Sequence, residues 1–91
     1  MEDLPKISSL VIPIVAILKS KGPLGHREIE KEIIMLLAIP MSLSQLKRTG
    51  NRSELSYRLS WARTKAKSLG YVEREKTGMW TLTDLGKNLQ P

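Results

Sequence analysis

The chain has 91 residues, and its 15 lysines and arginines against 9 acidic residues give a formal net charge of +6. A domain of this size buries only about 60–65% of the surface that its unfolded chain exposes, which leaves little room for a multi-step catalytic cleft. It contains no cysteine, so disulfides, thiolate metal sites and cysteine nucleophiles are excluded. No apolar run approaches the roughly 20 residues of a membrane helix, and the acidic start differs from a signal peptide. We therefore expect a cytoplasmic protein without a membrane partner.

The first predicted elements are a flexible lead-in over residues 1–7 and a helix over residues 8–20. Apolar side chains recur along one face of this helix at Leu10, Ile14, Ile17 and Leu18. Pro13 either belongs to its first turn or kinks it. After a glycine- and proline-rich break, Leu24 is placed to form a one-residue bridge to a later sheet.

Two more helices are expected before the middle of the chain. The second helix is predicted over residues 26–38, and Pro40 stops it. Its apolar face consists of Ile29, Ile33, Leu36 and Leu37. Ser42 then suits the N-cap of a short helix over residues 43–47.

The longest helix is predicted over residues 52–69. Its apolar stripe recurs at steps of four and three, at Leu55, Leu59, Ala62, Ala66 and Leu69. Ser53 or Asn51 can cap its start, and Gly70 supplies the left-handed residue that ends such helices. At about 100° per residue, hydroxyl and basic side chains fall on the rest of its surface.

The whole net charge lies in this part of the chain. Between Lys47 and Lys67 there are seven basic residues and one acid, Glu54, whereas the rest of the chain holds eight of each sign. A cation cluster on one element is the electrostatic footprint of a polyanion site, because bound phosphates release condensed counterions. The alternative is an ordinary solvated face that happens to be basic.

After Gly70 the period of the pattern changes from that of a helix to that of a strand. Two short alternating runs within residues 71–82 are joined by Lys76-Thr77-Gly78, which predicts a β-hairpin. Thr83 suits the cap of a last helix over residues 84–89. The order of elements predicts an α+β, mainly α, winged helix-turn-helix over residues 1–91, with a three-helix core, a short extra helix, a hairpin wing and a C-terminal helix.

These residues resemble the N-terminal winged-helix domain of Mrr-type restriction endonucleases, which are type IV, modification-dependent enzymes. The resemblance runs from about Leu10 to Leu89 and is densest at Trp61-Ala62-Arg63, Leu69-Gly70-Tyr71 and Trp80 to Gly86. It implies a DNA-binding domain of a larger protein in which a separate C-terminal domain cuts modified DNA. That nuclease domain has no counterpart among these residues, so the resemblance implies no activity for them.

The chain itself is predicted not to be an enzyme. The nuclease of that family uses an acid-x-Lys motif, which this sequence lacks. Glu28 and Glu32 share a helix face and could hold a divalent ion, but a solvated surface is the better account. His26 is the sole histidine, which excludes a two-histidine metal site. We expect no catalytic residue, no bound metal and no cofactor.

The predicted partner is double-stranded DNA, either unmodified or methylated. Base edges or nearby phosphates are assigned to Arg52, Ser53, Ser56, Tyr57 and Ser60. Contacts with backbone phosphates are predicted for Lys47, Arg48, Arg63 and Lys67. Contacts with adjacent phosphates or the minor groove are predicted for the wing-tip residues Lys76 and Thr77. The edge of Tyr57 is the apolar neighbour that a methyl-bearing pyrimidine would need.

Other functions are compatible with the same pattern. The chain could be a small stand-alone winged-helix transcription regulator or a protein-interaction module, and its oligomeric state, homo-oligomers included, is open. We expect Tyr71 and Trp80 to pack the wing against the helices. Trp61 is expected to cover the first helix or the hairpin, and the alternative is exposure at a DNA or subunit contact.

Overall fold

The computed structural model describes residues 4–49 and 52–89, and for Arg48, Thr49 and Arg52 it describes the backbone alone. The elements in chain order are α1 Ile7–Lys21, α2 His26–Leu36, α3 Met41–Ser44, β1 Lys47–Thr49, β2 Arg52–Ser53, α4 Glu54–Ser68, β3 Val72–Arg74, β4 Trp80–Leu82 and α5 Asp84–Asn88. Within these described ranges, no helix is long and apolar enough to cross a membrane.

The architecture confirms the predicted fold class, a mainly helical α+β winged helix. Strands β3 and β4 form an antiparallel hairpin in which Val72 lies opposite Leu82 and Arg74 lies opposite Trp80. The expected bridge is present, because Leu24 and Trp80 exchange backbone hydrogen bonds of 3.0 and 2.7 Å. The chain entering α2 is thereby attached to β4, which lies between Leu24 and β3.

The core lies between the helices and the inner face of the wing. Helix α1 packs mainly against α4. Pro13 lies in the interior of α1 rather than in its first turn, and the helix continues beyond it. The largest fully buried side chains are Leu10, Ile14, Ile29, Ile33, Leu55, Leu59 and Val72. Tyr71 and Trp80 are half-buried against this core, as the sequence predicted.

Both ends of α4 have well-formed caps. The Ser53 hydroxyl accepts a hydrogen bond from the Ser56 backbone N–H at 3.0 Å, whereas Asn51, the other candidate cap, lies outside the described residues. At the other end Gly70 adopts φ +84°, and the Tyr71 N–H bonds the Ala66 carbonyl at 3.0 Å. This is a Schellman motif, in which the left-handed residue favours glycine.

The predicted short helix is present, but its predicted bounds of residues 43–47 are wrong. Helix α3 begins two residues earlier, with Pro40 rather than Ser42 at the N-cap position. Lys47 instead begins β1, which pairs with β2 in register Lys47 to Ser53. The Glu54 N–H also bonds the Leu46 carbonyl at 2.7 Å. Leu46 and Lys47 therefore bond to the segment that leads into α4 and are not part of the short helix.

Helix α2 also ends earlier than predicted. Its last residue is Leu36, because Ala38 adopts the left-handed φ of +51°. Leu36 and Leu37 were predicted to be buried, but their exposed fractions are 56% and 37%. Ile29 and Ile33 alone supply the fully buried part of this helix.

Candidate nucleic-acid interface

Helix α4 buries one side and leaves polar side chains on the other. The buried stripe is Leu55, Leu59, Ala62 and Ala66, whereas Leu69 ends the helix and is 46% exposed. Half-buried polar positions around it are Ser53, Ser56, Tyr57, Ser60 and Arg63. Exposed positions further along are Thr64, Lys65, Lys67 and Ser68. The helix therefore presents hydroxyls and cations at the surface along most of its length.

The hydroxyl of Ser53 has a structural role that limits what else it does. As an acceptor it caps α4, and its O–H remains a donor because a serine hydroxyl has one donor and two acceptor lone pairs. A candidate DNA contact of Ser53 is therefore a donated hydrogen bond, which suits a phosphate oxygen or a base acceptor.

Replacing Ser53 with alanine should lower the free energy of unfolding by about 1 kcal/mol, because the Ser56 N–H loses its acceptor. Ser53→Asp should stay close to wild type, since a carboxylate also caps and favours the helix N-terminus. Urea unfolding followed by circular dichroism measures both, with Ser68→Ala at the exposed end of α4 as the control. Equal stability of Ser53→Ala and wild type would contradict the cap.

Arg63 joins α4 to the wing. Its guanidinium carbon lies 5.6 Å from the centroid of the Trp80 ring, a cation–π contact, and the residue is half-buried. Because Trp80 also bridges Leu24, this contact lies where α4, β4 and the entry to α2 meet. The structure thus places this predicted phosphate contact at the base of the wing rather than at the free edge of the helix.

Arg58 belongs to the basic segment 47–67, but its hydrogen bonds stabilise the fold. Its Nε donates to Glu54 at 2.8 Å, and its Nη1 donates to the carbonyls of Leu4 and Pro5 at 2.8 and 3.1 Å. It therefore holds the segment before α1 against α4. The cluster contains at least one cation whose hydrogen bonds go to the protein itself.

Trp61 lies on the surface, with 52% of its area exposed. Trp61 is therefore more exposed than the predicted cover of the first helix or the hairpin implies, and the alternative, a contact with DNA or another subunit, stays a prediction. Its ring meets the Tyr57 ring edge-on, with centroids 6.5 Å apart and planes at 69°. Two aromatic rings thus lie side by side on α4, next to the polar face.

The remaining predicted residues lie at both ends of this surface. Lys47 is exposed on β1, Lys67 is exposed in the last turn of α4, and Lys76 and Thr77 are exposed in the wing turn. The side chains of Arg48 and Arg52 lie outside the described residues. Among the described residues, no group of three or more histidine and carboxylate side chains could hold a metal ion.

The structure adds a surface on α2 that the sequence analysis missed. One open groove between α2 and the start of α4 is lined by His26, Arg27, Glu30, Lys31, Ile34, Ser53 and Ser56. A second groove lies between the start of α2 and the wing, and its lining includes Arg27, Arg74 and Thr77. The four-residue spacing of Arg27 and Lys31 was the available signal.

The chain matches a known protein family. The family model described as the Mrr N-terminal domain matches residues 8–90. Neither the curated proteins nor the solved structures gave a match. The matched residues include every helix and strand from the second residue of α1 to α5.

Proposed function

The chain belongs to the Mrr N-terminal domain family, a family of restriction-system domains, and from this premise we propose that it binds double-stranded DNA. In this proposal it is the recognition domain of a restriction endonuclease resembling Mrr, in the cytoplasm, and another domain performs the cleavage. The observation that carries the proposal is the position of the charge. The net +6 falls within residues 47–67, and α4 in that segment has hydroxyls and cations outside its buried stripe.

The N-terminal half of α4 enters the major groove in this proposal. Ser56 and Ser60 are half-buried, and in this proposal they face base edges or the phosphates next to them. Ser53 donates its hydroxyl hydrogen from the capped end of the helix. Arg52 precedes this turn, and an arginine that contacts guanine is the commonest specific contact in DNA complexes.

Phosphates are contacted on both sides of the groove. Lys47 and Arg48 approach from β1, and Lys67 approaches from the last turn of α4. The wing tip carries Lys76 and Thr77, which are exposed and reach the adjacent phosphates or the minor groove. Such contacts fix the position of the protein on the duplex, whereas the serines and Arg52 supply sequence preference.

The proposal predicts strongly salt-dependent binding. If five or six cations each neutralise one phosphate, log Kd plotted against log salt should have a slope of about 5 in magnitude. Fluorescence anisotropy of a labelled duplex at several salt concentrations measures this slope. Lys67→Ala should reduce its magnitude by about 1, whereas Lys19→Ala, an exposed cation on α1, should leave it unchanged. A slope near zero would contradict the proposed phosphate contacts.

The same titration with unmodified, cytosine-methylated and adenine-methylated duplexes tests whether a modified base is sensed. The half-buried Tyr57 ring and the exposed Trp61 ring beside it supply apolar surface of the kind that contacts a methyl group in the major groove. Tighter binding of one methylated duplex supports a modification-dependent reader. Equal binding leaves a domain that holds the enzyme on DNA while another part of it supplies the preference.

A protein-interaction module is the second candidate, and a specific observation favours it. Met35, Leu36 and Met41 lie close together in sequence around the end of α2, and their exposed fractions are 66%, 56% and 71%. Large contiguous apolar patches on a protein surface mark contact sites, so a patch formed by these three side chains would favour a protein interaction. Absence of DNA binding at low salt would overturn the DNA proposal and favour this one, and sedimentation would then show whether the partner is a second copy.

A further inference from the structure

We infer that the N-terminal half of α2 and the wing together hold the phosphates of one DNA strand, an inference that rests on the proposed function. The residues concerned are Arg27 and Lys31 on α2 and Arg74 on β3, here called the α2–wing surface. The sequence analysis assigned α2 no part in binding. The inference adds α2 to an interface otherwise made by the β1–β2 segment, α4 and the wing tip.

The two grooves beside α2 adjoin at its start, because Arg27 and His26 line both of them. Together they trace a path from Ser53 and Ser56 on one side to Thr77 on the other. Both ends of this path are residues already proposed to contact DNA. A strand that follows this path from the start of α4 to the wing tip passes over the cations of α2.

The chemistry of the lining favours an extended anion. Arg27 and Lys31 are exposed, are four residues apart, and so lie on one side of the helix, and Arg74 is an exposed cation on a different element. Cations spread along an open groove suit successive charges of a chain better than a compact anion, which needs convergent donors. A DNA strand supplies such charges at regular intervals.

Two carboxylates, Glu28 and Glu30, also line this path. Neutralising a carboxylate should strengthen phosphate binding, whereas removing a cation should weaken it. Glu28 accepts a hydrogen bond from the Gly25 N–H at 2.6 Å, so its charge is held at the N-terminus of α2, where the helix dipole favours it. Glu30 is half-buried in the groove that contains Lys31. A phosphate in that groove is repelled by Glu30, and neutralising this residue should strengthen binding.

The experiment is a salt titration of duplex binding by the full chain and its variants, with circular dichroism to verify folding. Arg27→Ala/Lys31→Ala should reduce the magnitude of the salt slope by about 2, and Arg74→Ala should reduce it by about 1. Affinity should fall about three-fold per cation removed, and by the same factor for duplexes of unrelated sequence. Glu30→Gln should instead bind more tightly than wild type.

Lys19→Ala and Lys87→Ala are matched controls, because both remove an exposed cation that lines neither groove. If wild type binds and the α2–wing variants keep its slope and affinity, the inference is overturned while the proposed function stands. If wild type does not bind duplex DNA at low salt, the proposed function fails and the inference fails with it. Reduced slopes in the α2–wing variants, with unchanged controls, support it.

Discussion

Gly86→Ala should lower the free energy of unfolding by about 3 kcal/mol, although alanine is the better helix former. Gly86 is buried in α5, and a Cβ built there would overlap the backbone carbonyl oxygen of Tyr71 and lie 3.1 Å from a methyl group of Leu82. The Tyr71 carbonyl also accepts the Thr83 N–H at 3.0 Å, so it cannot move without loss of that bond. Helix α5 must therefore shift away from the wing.

Urea unfolding followed by circular dichroism tests this expectation. Gly25→Ala is the matched control, since its Cβ would meet only the flexible end of the Glu28 side chain, and it should cost about 1 kcal/mol or less. Helix propensity alone would make Gly86→Ala more stable than wild type by up to about 1 kcal/mol. A gain in stability would therefore show that α5 does not pack on Tyr71 as described.

Hydrogen bonds of Thr83, next to this contact, fix the wing to α4. The Thr83 hydroxyl donates to the Gly70 carbonyl and accepts the Gly86 N–H at 3.1 Å. One side chain thus connects the end of α4, the end of β4 and the start of α5. A variant that displaces α5 should also loosen the wing, which carries Thr77 at one end of the proposed DNA path.

The predictable part of the fold is the part governed by local pattern. The stripe of α4 follows from 3.6-residue periodicity, and its two ends follow from a serine that caps and a glycine that tolerates positive φ. The bridge at Leu24 was also expected. The errors lie where tertiary pairing decides. Residues 43–47 have a helical pattern, but Lys47 pairs with Ser53, and the periodicity of either segment alone does not predict a pairing between the two.

The residues of the candidate site are harder to predict than the fold, because the charge of a sequence segment does not show which cations share a groove or bond to the protein itself. Arg27 and Lys31 alternate with acids, so their local net charge is close to zero although they line one groove. Arg58 counted fully toward the basic cluster although it bonds the protein itself. Trp61 at the edge of the apolar stripe was expected to be covered, and periodicity cannot tell whether a neighbour reaches the edge of a stripe.

Arg58→Ala should lower the free energy of unfolding by about 2 kcal/mol, because hydrogen bonds from a charged donor contribute about 1.5–3 kcal/mol. The change removes the 2.8 Å ion pair with Glu54 and both hydrogen bonds to the segment before α1. Leu4 in that segment is 4% exposed, so its place in the core depends on this attachment. Arg58→Lys should recover only part of the loss, since an ammonium lacks the planar fork that reaches three acceptors.

Unfolding and DNA binding measured on the same variants separate a structural cation from a phosphate-binding one. Arg58→Ala should lose stability yet keep the wild-type salt slope of duplex binding, measured at a temperature where both proteins are folded. Lys65→Ala, an exposed cation on the same flank of α4, should keep its stability within about 0.5 kcal/mol. Arg27→Ala should show the reverse of Arg58→Ala, with stability kept and a shallower slope. If Arg58→Ala instead reduces the slope by about 1 without loss of stability, Arg58 contacts phosphate and its bonds to Leu4 and Pro5 contribute little to the fold.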